Sequence, residues 1–370
     1  MKIMVTGAQG FIGKNLTWEL RNRGFDNILE YTKSSSNIEL RHFCEEADFV
    51  FHFAGVNRPM ESKDFIEGNV NLTQKILDYL AESNNSCPIV LASTIQVDND
   101  SLYGQSKKGA EQLIKQHSEK MNSSAIIFRI PNVFGKWSKP NYNSVIATFC
   151  HNIARDIPIE VHDEKTQLNL VYIDDLVDDF IRCLELDYRN SQVIFESVSK
   201  VHTRSLGEIA ALIKSFKKIK TDNTVINMSD VFVKNLYSTY TSYIPVDKLS
   251  YTLDMHSDAR GSFTEFLKFK GFGQVSINVL KSGVVKGNHW HHSKNEKFLV
   301  VRGEGVIRIR ALDQIIVHEY FVNGDNLQVI DIPVGYTHNI ENLGTEDMVT
   351  VMWVNEFFDH KKPDTYPLEV

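Results

Sequence analysis

The chain has 370 residues, of which 42% are hydrophobic and 24% charged, a composition typical of globular proteins. Its length exceeds what one hydrophobic core usually serves, so we expect two or three domains. The net charge of −7 argues against a broad nucleic-acid-binding face, and no run of 18 apolar residues predicts a membrane span. The four cysteines form no CxxC pair, which favours free thiols and a cytoplasmic location.

Short apolar runs alternate with helical patterns through the first 240 residues. The runs predict strands at residues 2–6, 27–31, 49–54, 89–93 and 125–130. Helical patterns lie between them, at residues 12–23, 69–82 and 106–120. This alternation predicts an α/β domain with a Rossmann-type, doubly wound parallel sheet.

The pattern changes after residue 255 to short β-type runs separated by glycines. These runs lie at residues 274–280, 298–301, 305–310, 315–321, 327–332 and 348–354, and they predict an all-β barrel or sandwich. A polar, tyrosine-rich stretch that contains Pro245 separates the two patterns. We therefore predict one domain at residues 1–245 and a second at residues 246–370.

A glycine-rich turn follows the first predicted strand and opens a helix. In Gly7-Ala8-Gln9-Gly10-Phe11-Ile12-Gly13, the first glycine permits the tight turn, the second lets backbone approach a pyrophosphate, and the third allows close helix packing. The helix N-terminus attracts the phosphates. The residues expected to contact a dinucleotide here are Gly7, Gly10, Phe11, Ile12 and Gly13.

The end of the second predicted strand bears on the choice of cofactor. An NAD site usually places an acid there, but this strand continues from Glu30 into Thr32 and Lys33. A lysine with neighbouring hydroxyls suits the 2′-phosphate of NADPH. The alternative is that Lys33 is a solvated loop lysine.

A YxxxK pair, Tyr103 and Lys107, follows the strand that ends near Thr94. Residues four apart share a face of a helix, so the lysine ammonium can lower the pKa of the phenol. The tyrosine could then pass a proton to a carbonyl during hydride transfer. Trp137 and His52 are expected to be packing residues.

Residues 1 to about 240 resemble the extended short-chain dehydrogenase/reductase family. The matching pieces, in order, are the glycine-rich turn, His52-Phe53-Ala54-Gly55, Asn69-Val70, Thr94, Tyr103 with Lys107, Arg129-Ile130-Pro131-Asn132-Val133-Phe134-Gly135 and Tyr172-Ile173-Asp174-Asp175-Leu176.

The resemblance implies hydride chemistry on a nucleotide-activated sugar. Tyr103 would be the acid/base, Lys107 its modulator and Thr94 the hydroxyl partner of the substrate oxygen. Further residues that the family pattern assigns are Ala54 and Gly55, at the cofactor, and Asn132 and Asn143, near the sugar nucleotide. Ile95-Gln96 stands where the 4,6-dehydratases of this family carry an acidic pair, which disfavours dehydration. The cation for the diphosphate stays open among Lys136, Lys139, Arg155 and Arg204.

Two histidine motifs in the second half predict a metal site. His289-Trp290-His291 with Glu296 and Gly303 reads HxH(x)4E(x)6G, and Pro333 to Asn342, which includes His338, reads PxGxxHxxxN. Alternate residues of a strand face one side, so His289 and His291 can converge. Glu296 and His338 can complete a site for a divalent cation such as zinc, which we favour, or manganese.

These motifs resemble the cupin barrel, and a closer resemblance is to the dTDP-4-keto-sugar 3,5-epimerases. Asp258 to Glu265, with Arg260, looks like their entry motif, and Lys286-Gly287-Asn288-His289 like the segment that carries their base histidine. The resemblance implies that Arg260 and Lys286 bind substrate. It leaves His289 as either metal ligand or general base. Because cupins commonly pair through β-strands, we expect a homodimer through this domain.

In this order the two halves resemble the CapF family of bifunctional capsular-polysaccharide enzymes. The resemblance implies inversion of carbon 3 of a UDP-2-acetamido-2,6-dideoxy-4-hexulose by the cupin domain. Reduction of the carbon 4 ketone with NADPH by the first domain would follow. The product would be UDP-2-acetamido-2,6-dideoxy-L-talose, on the way to UDP-N-acetyl-L-fucosamine. The alternative is a single-activity NAD(P)-dependent reductase or 4-epimerase with a structural, dimerising cupin.

Overall fold

The computed structural model describes residues 1–58, 61–186, 188, 192–357, 359, 361 and 363–370. The chain divides into two compact units, the first comprising Met1–Ile213 and Val231–Pro245, the second Lys214–Asp230 and Val246–Val370. None of the helices in these described ranges has the length and apolar content needed to cross a membrane.

The first unit is built mainly on parallel strands with helical crossovers, with one antiparallel pair between residues 167–170 and 202–205. Its strands are β1 (Ile3–Thr6), β2 (Ile28–Tyr31), β3 (Phe49–His52), β4 (Ile89–Thr94), β5 (Ala125–Ile130), β6 (Asn132–Phe134), β7 (Gln167–Tyr172), β8 (Val193–Glu196) and β9 (His202–Ser205). The α-helices of the chain are α1 (Phe11–Asn22), α2 (Asn37–Glu46), α3 (Lys63–Phe65), α4 (Leu72–Glu82), α5 (Leu102–Met121), α6 (Val145–Ala154), α7 (Ile173–Arg182), α8 (Leu206–Asp222) and α9 (Val231–Thr241). A π-helical turn, Ile66–Asn71, joins α3 to α4.

The main sheet has the order β2-β1-β3-β4-β5-β8, with every neighbouring pair parallel. Successive residues of β1 enter opposite cores: Ile3 and Val5 pack with α1 and α7, whereas Met4 packs with α2, α4 and α5. A sheet with a core on both faces needs this near-continuous apolar pattern. The strand order reverses at β1, between β2 and β3, which is where such sheets bind ligands.

The second unit is almost entirely β-structure. Its strands are β10 (Thr224–Val225), β11 (Met255–Asp258), β12 (Gly261–Phe269), β13 (Gly273–Leu280), β14 (Val285–Trp290), β15 (Glu296–Arg302), β16 (Glu304–Ala311), β17 (His318–Asn323), β18 (Val329–Ile332), β19 (Tyr336–Asn342), β20 (Met348–Val354) and β21 (Tyr366–Pro367).

These strands form two sheets around one apolar core. One has the order β10-β12-β13-β20-β15-β18, with β11 added to β12, and the other has the order β17-β16-β19-β14-β21. The core residues include Phe298, Ile307 and Ile340. The predicted fold class, a Rossmann-type sheet followed by an all-β cupin barrel, is confirmed. Residues 214–230 group with the second unit, because Thr224 and Val225 of β10 pair with the end of β12.

Candidate active sites

The glycine-rich turn has the geometry of a phosphate cradle. Gly7 has φ +69°, and a Cβ on it would lie 2.8 Å from the backbone nitrogen of Ala54, at the end of β3. A Cβ on Gly13 would collide with the Gly7 carbonyl oxygen, so α1 can approach the strand only without a side chain there. No side chain of the described residues caps α1 at Gly10, and its first turn carries no acid. Its N–H groups therefore suit an anion, and the cradle fits a dinucleotide pyrophosphate.

A cavity of about 510 Å³ opens beside this turn and collects most of the predicted residues of the first domain. The predicted residues that line it are Gly7, Gly10, Phe11, Ile12, Gly13, Gly55, Thr94, Tyr103, Lys107, Asn132 and Asn143. Ala54 is not among the described residues that line the cavity, and its N–H donates to the Thr6 hydroxyl at 3.0 Å.

Thr32 and Lys33 are not among the described residues that line this cavity. They lie in the turn after β2, where the Thr32 hydroxyl contacts that of Ser34 at 2.9 Å and Lys33 is exposed. Glu30, the last acid of the strand, is paired with Arg21 of α1. The strand end therefore presents hydroxyls and a lysine, while its carboxylate is engaged by an arginine.

The YxxxK pair lies one turn apart on α5 at the cavity wall. Burial raises the pKa of Tyr103, and a hydrogen bond with Thr94 only partly opposes this. Desolvation therefore dominates the pKa of Tyr103 here, and its modulation by Lys107 stays a prediction. Burial lowers the pKa of Lys107 to about 8, against the favourable charge of Glu111.

A buried polar network at the cavity wall was not anticipated from the sequence. The Asn69 side chain, in the π-helical turn, accepts from the Val56 N–H at 2.8 Å and donates to the Ser106 hydroxyl at 2.9 Å. Ser106 lies on α5 between Tyr103 and Lys107, so Asn69 links the loop after β3 to the YxxxK helix. Asn69-Val70 matches the family pattern in the sequence, but the sequence does not indicate which groups the Asn69 amide contacts.

His52 is a satisfied core residue, as expected. Its ring nitrogens lie 2.7 Å from the Thr6 hydroxyl and 2.8 Å from the Thr73 hydroxyl. Burial lowers the pKa of His52 to about 3, which keeps the ring neutral. The ring therefore joins β1 to α4 and stays out of the cavity chemistry.

The far wall of the cavity is formed by the segment after β6. Among the four candidate cations, Lys139 lines the cavity. The other three are engaged elsewhere: Lys136 pairs with Asp174, Arg155 donates to the Tyr243 carbonyl, and Arg204 lies over the Phe232 ring.

The expectation that Trp137 is a packing residue is wrong. Its side chain is 44% exposed, it lines the cavity, and Lys14 lies 4.6 Å from its ring centroid. Its φ of +69° is uncommon for a residue with a bulky side chain. Such backbone conformations are often associated with function.

Four side chains of the second unit, His289, His291, Glu296 and His338, form a group that we call the His/Glu cluster. One possible ligand atom from each lies within 4.8 Å of the others. Glu296 Oε2 is 3.0 Å from His338 Nε2 and 3.5 Å from His291 Nε2. These three atoms are buried and lack a hydrogen-bond partner among the described residues. Atoms that carry lone pairs and lie this close together need a cation or a proton between them. These ligand atoms therefore fit a divalent metal.

A backbone carbonyl orients one of the histidine rings. His291 Nδ1 donates to the Asp364 carbonyl at 2.5 Å. Metal-binding histidines usually carry a contact of this kind on the second ring nitrogen. The geometry therefore groups His289 with the other three, although the choice between ligand and base stays a prediction.

Burial and mutual contact set the charges of the cluster. Burial, together with His338, lowers the pKa of His289 to about 4. Burial favours a neutral Glu296, but the contacts with His291 and His338 outweigh it and hold the pKa of Glu296 far below its usual range. An anionic carboxylate beside imidazoles is the charge state that a divalent cation requires.

Arg260 and Lys286 lie together in an open cavity of about 550 Å³. Lys286 Nζ donates to Asn278 Oδ1 at 3.0 Å, and Arg260 pairs with Asp258 at 2.6 Å. Partial burial lowers the pKa of Lys286. The described residues that line this cavity do not include the His/Glu cluster.

Comparisons with known proteins cover both units. A model of the NAD dependent epimerase/dehydratase family matches residues 3–195, and a model of the polysaccharide biosynthesis C-terminal domain matches residues 256–366. A UDP-2-acetamido-2,6-beta-L-arabino-hexul-4-ose reductase of Pseudomonas aeruginosa is 41% identical over 370 residues, which is 100% of this chain and 99% of the relative.

The structural comparison agrees. The crystal structure of the capsular polysaccharide assembling protein CapF from Staphylococcus aureus is 48% identical, covers 100% of both chains and has a TM-score of 0.93. A dTDP-4-dehydro-6-deoxyglucose reductase of Escherichia coli is 27% identical over 238 residues, covering 52% of this chain and 75% of the relative.

Proposed function

Because the chain belongs to the NAD-dependent epimerase/dehydratase family and, over its full length, to the CapF family of capsular-polysaccharide nucleotide-sugar enzymes, we propose that it is bifunctional. Residues 246–370 would invert carbon 3 of a UDP-2-acetamido-2,6-dideoxy-4-hexulose. Residues 1–245 would then reduce the carbon 4 ketone with NADPH to give UDP-2-acetamido-2,6-dideoxy-L-talose, in the route to UDP-N-acetyl-L-fucosamine. The observation that carries the proposal is that each unit holds its own converging set of reactive side chains.

The reduction requires a proton donor beside the ketone. NADPH would supply the hydride to carbon 4. Thr94 and Tyr103 both line the cavity, so both hydroxyls can face one carbonyl oxygen there. Tyr103 would give its proton to that oxygen as the hydride arrives, and its raised pKa keeps it protonated until then. Lys107, whose pKa of about 8 lies near physiological pH, would stabilise the phenolate that remains.

The inversion requires removal of a weakly acidic proton next to the ketone. His291, Glu296 and His338 would hold a divalent cation, with zinc favoured, and His289 would complete the set as a fourth ligand or act as the base. Such a cation, when bound, supplies a Lewis acid for negative charge that develops on the substrate oxygen. Arg260 and Lys286 would bind the charged part of the nucleotide sugar.

A homodimer through the second domain and a cytoplasmic location complete the proposal. Exposed apolar side chains concentrate on edge strand β17 and the segments beside it, among them Ile315, Ile316, Phe321 and Leu327. An exposed apolar group on a sheet edge is typical of a protein–protein contact. All four cysteines are free and buried, as in proteins of reducing compartments.

Deuterium exchange tests the two activities separately. We expect the enzyme, incubated with the UDP-4-keto sugar in deuterated water without NADPH, to introduce deuterium at carbon 3. Added NADPH should then be consumed as the ketone is reduced, which mass and proton NMR spectra would follow. Reduction without exchange would leave a single-activity reductase with a structural, dimerising cupin. Tightly bound NAD that copurifies would instead indicate a 4-epimerase.

Charge reversal at Lys33 tests the preference for NADPH. We expect Lys33→Glu to lower kcat/KM for NADPH about 10- to 150-fold, with kcat/KM for NADH unchanged or raised, because a charge-assisted contact to the 2′-phosphate contributes about 1.5–3 kcal/mol. Steady-state kinetics with both cofactors measures this. Lys63→Glu, at a lysine that is 77% exposed, is the control. Equal effects on both cofactors would contradict the assigned role of Lys33.

A further inference from the structure

The C-terminal segment 363–368 is bonded to the loop that carries His291. The Asp364 carboxylate accepts from three successive backbone N–H groups, those of His292, Ser293 and Lys294, at 3.0, 2.9 and 3.0 Å. The Ser293 hydroxyl adds a fourth bond at 3.0 Å. In return, Lys294 Nζ donates to the Pro363 carbonyl at 2.5 Å. The 292–294 loop and the 363–368 segment are therefore joined by hydrogen bonds donated from the loop to both Asp364 and Pro363.

The same aspartate fixes the orientation of the His291 ring. Its backbone carbonyl accepts the proton on His291 Nδ1, which leaves Nε2 with a lone pair 3.5 Å from Glu296 Oε2. An imidazole held in this tautomer is ready to bind a metal without reorganising. Asp364 adopts φ +39°, which is uncommon outside glycine, and the bonds to the loop stabilise that conformation.

The segment also contacts the strands that carry the other two histidines. Tyr366 and Pro367, in β21, pair with Trp290 and His289 of β14. The Leu368 carbonyl accepts from the hydroxyl of Thr337, the residue before His338, at 2.5 Å. Each of the three histidines of the His/Glu cluster therefore lies on, or next to, a residue that is hydrogen-bonded to or paired with the C-terminal segment.

We propose that Asp364 is a positioning residue for the metal of the second domain. Its carboxylate fixes the 292–294 loop and its carbonyl fixes the His291 tautomer, so the His/Glu cluster is preorganised before a cation arrives. This inference rests on the proposed metal centre. It adds to that centre a residue 68 positions beyond Glu296 in the sequence.

Asp364→Asn is the sharpest test, because the amide keeps the size of the side chain. The amide has a single acceptor oxygen, so in either orientation its NH2 group faces at least one backbone N–H to which the carboxylate now accepts a bond. Asp364→Ala removes all of them. Asp359→Asn makes the same chemical change in the same part of the chain, at an exposed residue that accepts from the Lys361 N–H.

The measurement uses the full-length protein and Zn²⁺ alone, in competition with a chromophoric chelator. We expect both Asp364 variants to bind Zn²⁺ about 10- to 100-fold more weakly, the usual effect of losing a residue that orients a ligand. The visible spectrum of the Co²⁺-loaded protein should also change, because the side-chain bonds that keep residue 364 and its carbonyl against the His291 loop are lost. NADPH oxidation with the already inverted ketone as substrate should match the parent, which verifies that the first domain is folded.

Each result has one meaning. Unchanged Zn²⁺ affinity in both Asp364 variants, with a parent that binds, would overturn the positioning role and leave the metal centre standing. Equal weakening by Asp359→Asn would also overturn it, since the effect would then belong to the tail in general. A parent that binds neither Zn²⁺ nor Co²⁺ would remove the proposed metal centre, and the inference with it.

Discussion

Replacing Tyr103 with phenylalanine is expected to abolish reduction while sparing exchange at carbon 3. The variant loses the only atom that donates the proton in the proposed reduction, and general acids of this kind contribute about 10²- to 10⁴-fold to rate. We expect kcat for NADPH oxidation to fall about 1,000-fold. The ring keeps its packing, including the contact with Phe65 at a centroid distance of 6.1 Å, so the fold should be unchanged. Stopped-flow or steady-state absorbance at the NADPH band measures the rate.

The control for this variant is a second tyrosine-to-phenylalanine change. Tyr79→Phe, on α4, removes a hydroxyl from a ring that Arg41 covers and that does not line the cavity. It should leave kcat within about twofold, as expected for surface changes. If Tyr103→Phe retained more than a tenth of the parent rate, Tyr103 would not be the proton donor.

The sequence predicted those features of the sites that depend on local spacing. Gly7, Gly10 and Gly13 specify a turn and a helix start within seven residues, and Tyr103 and Lys107 lie on one face of a helix by periodicity alone. The structure places all five in the wall of one cavity. Residues that are close in sequence lie near each other once the correct helix, strand or turn forms. Apolar periodicity predicts the type of element, so it also predicts these local groupings.

The features that were missed depend on contacts between distant parts of the chain. The Asp364 carboxylate accepts hydrogen bonds from residues about 70 positions earlier, and β21 is only two residues long. No local sequence pattern predicts these bonds or this strand. The register of β14 shifts between Gly287 and His289, where Asn288 has φ +57°. A bulge of this kind re-aims side chains and is not specified by alternation.

Desolvation affects the YxxxK pair in a way that spacing does not report. Spacing alone suggested that Lys107 lowers the pKa of Tyr103, but the lysine itself is buried and its own pKa falls to about 8. Burial penalises the charged form of both groups, and only a structure gives the depth of each side chain. The depth of Trp137 also could not be predicted from the sequence. Its hydrophobicity predicts burial, whereas its position after β6 leaves its side chain 44% exposed at the cavity.

The second large effect is expected from Glu296→Gln, which should abolish metal binding and exchange together. The glutamate provides the only negative charge of the His/Glu cluster, and its carboxylate oxygen lies 3.0 Å from His338 Nε2. The amide is nearly isosteric but neutral. We expect Zn²⁺ affinity to fall more than about 100-fold, because losing a residue that merely orients a ligand already costs 10- to 100-fold. Chelator competition and deuterium incorporation at carbon 3 measure the two losses.

Mixing the two inactive variants provides the decisive form of this test. Tyr103→Phe should still invert carbon 3, and Glu296→Gln should still reduce an inverted ketone, so together they should restore the reduced sugar that neither makes alone. Glu304→Gln, at an exposed glutamate of β16, should behave as the parent in every assay. Exchange that persists in metal-free Glu296→Gln would contradict a metal-assisted inversion. The base that inverts carbon 3 would then have to act without a bound metal. Lys286, whose Nζ donates to Asn278 Oδ1, would be the next residue to replace.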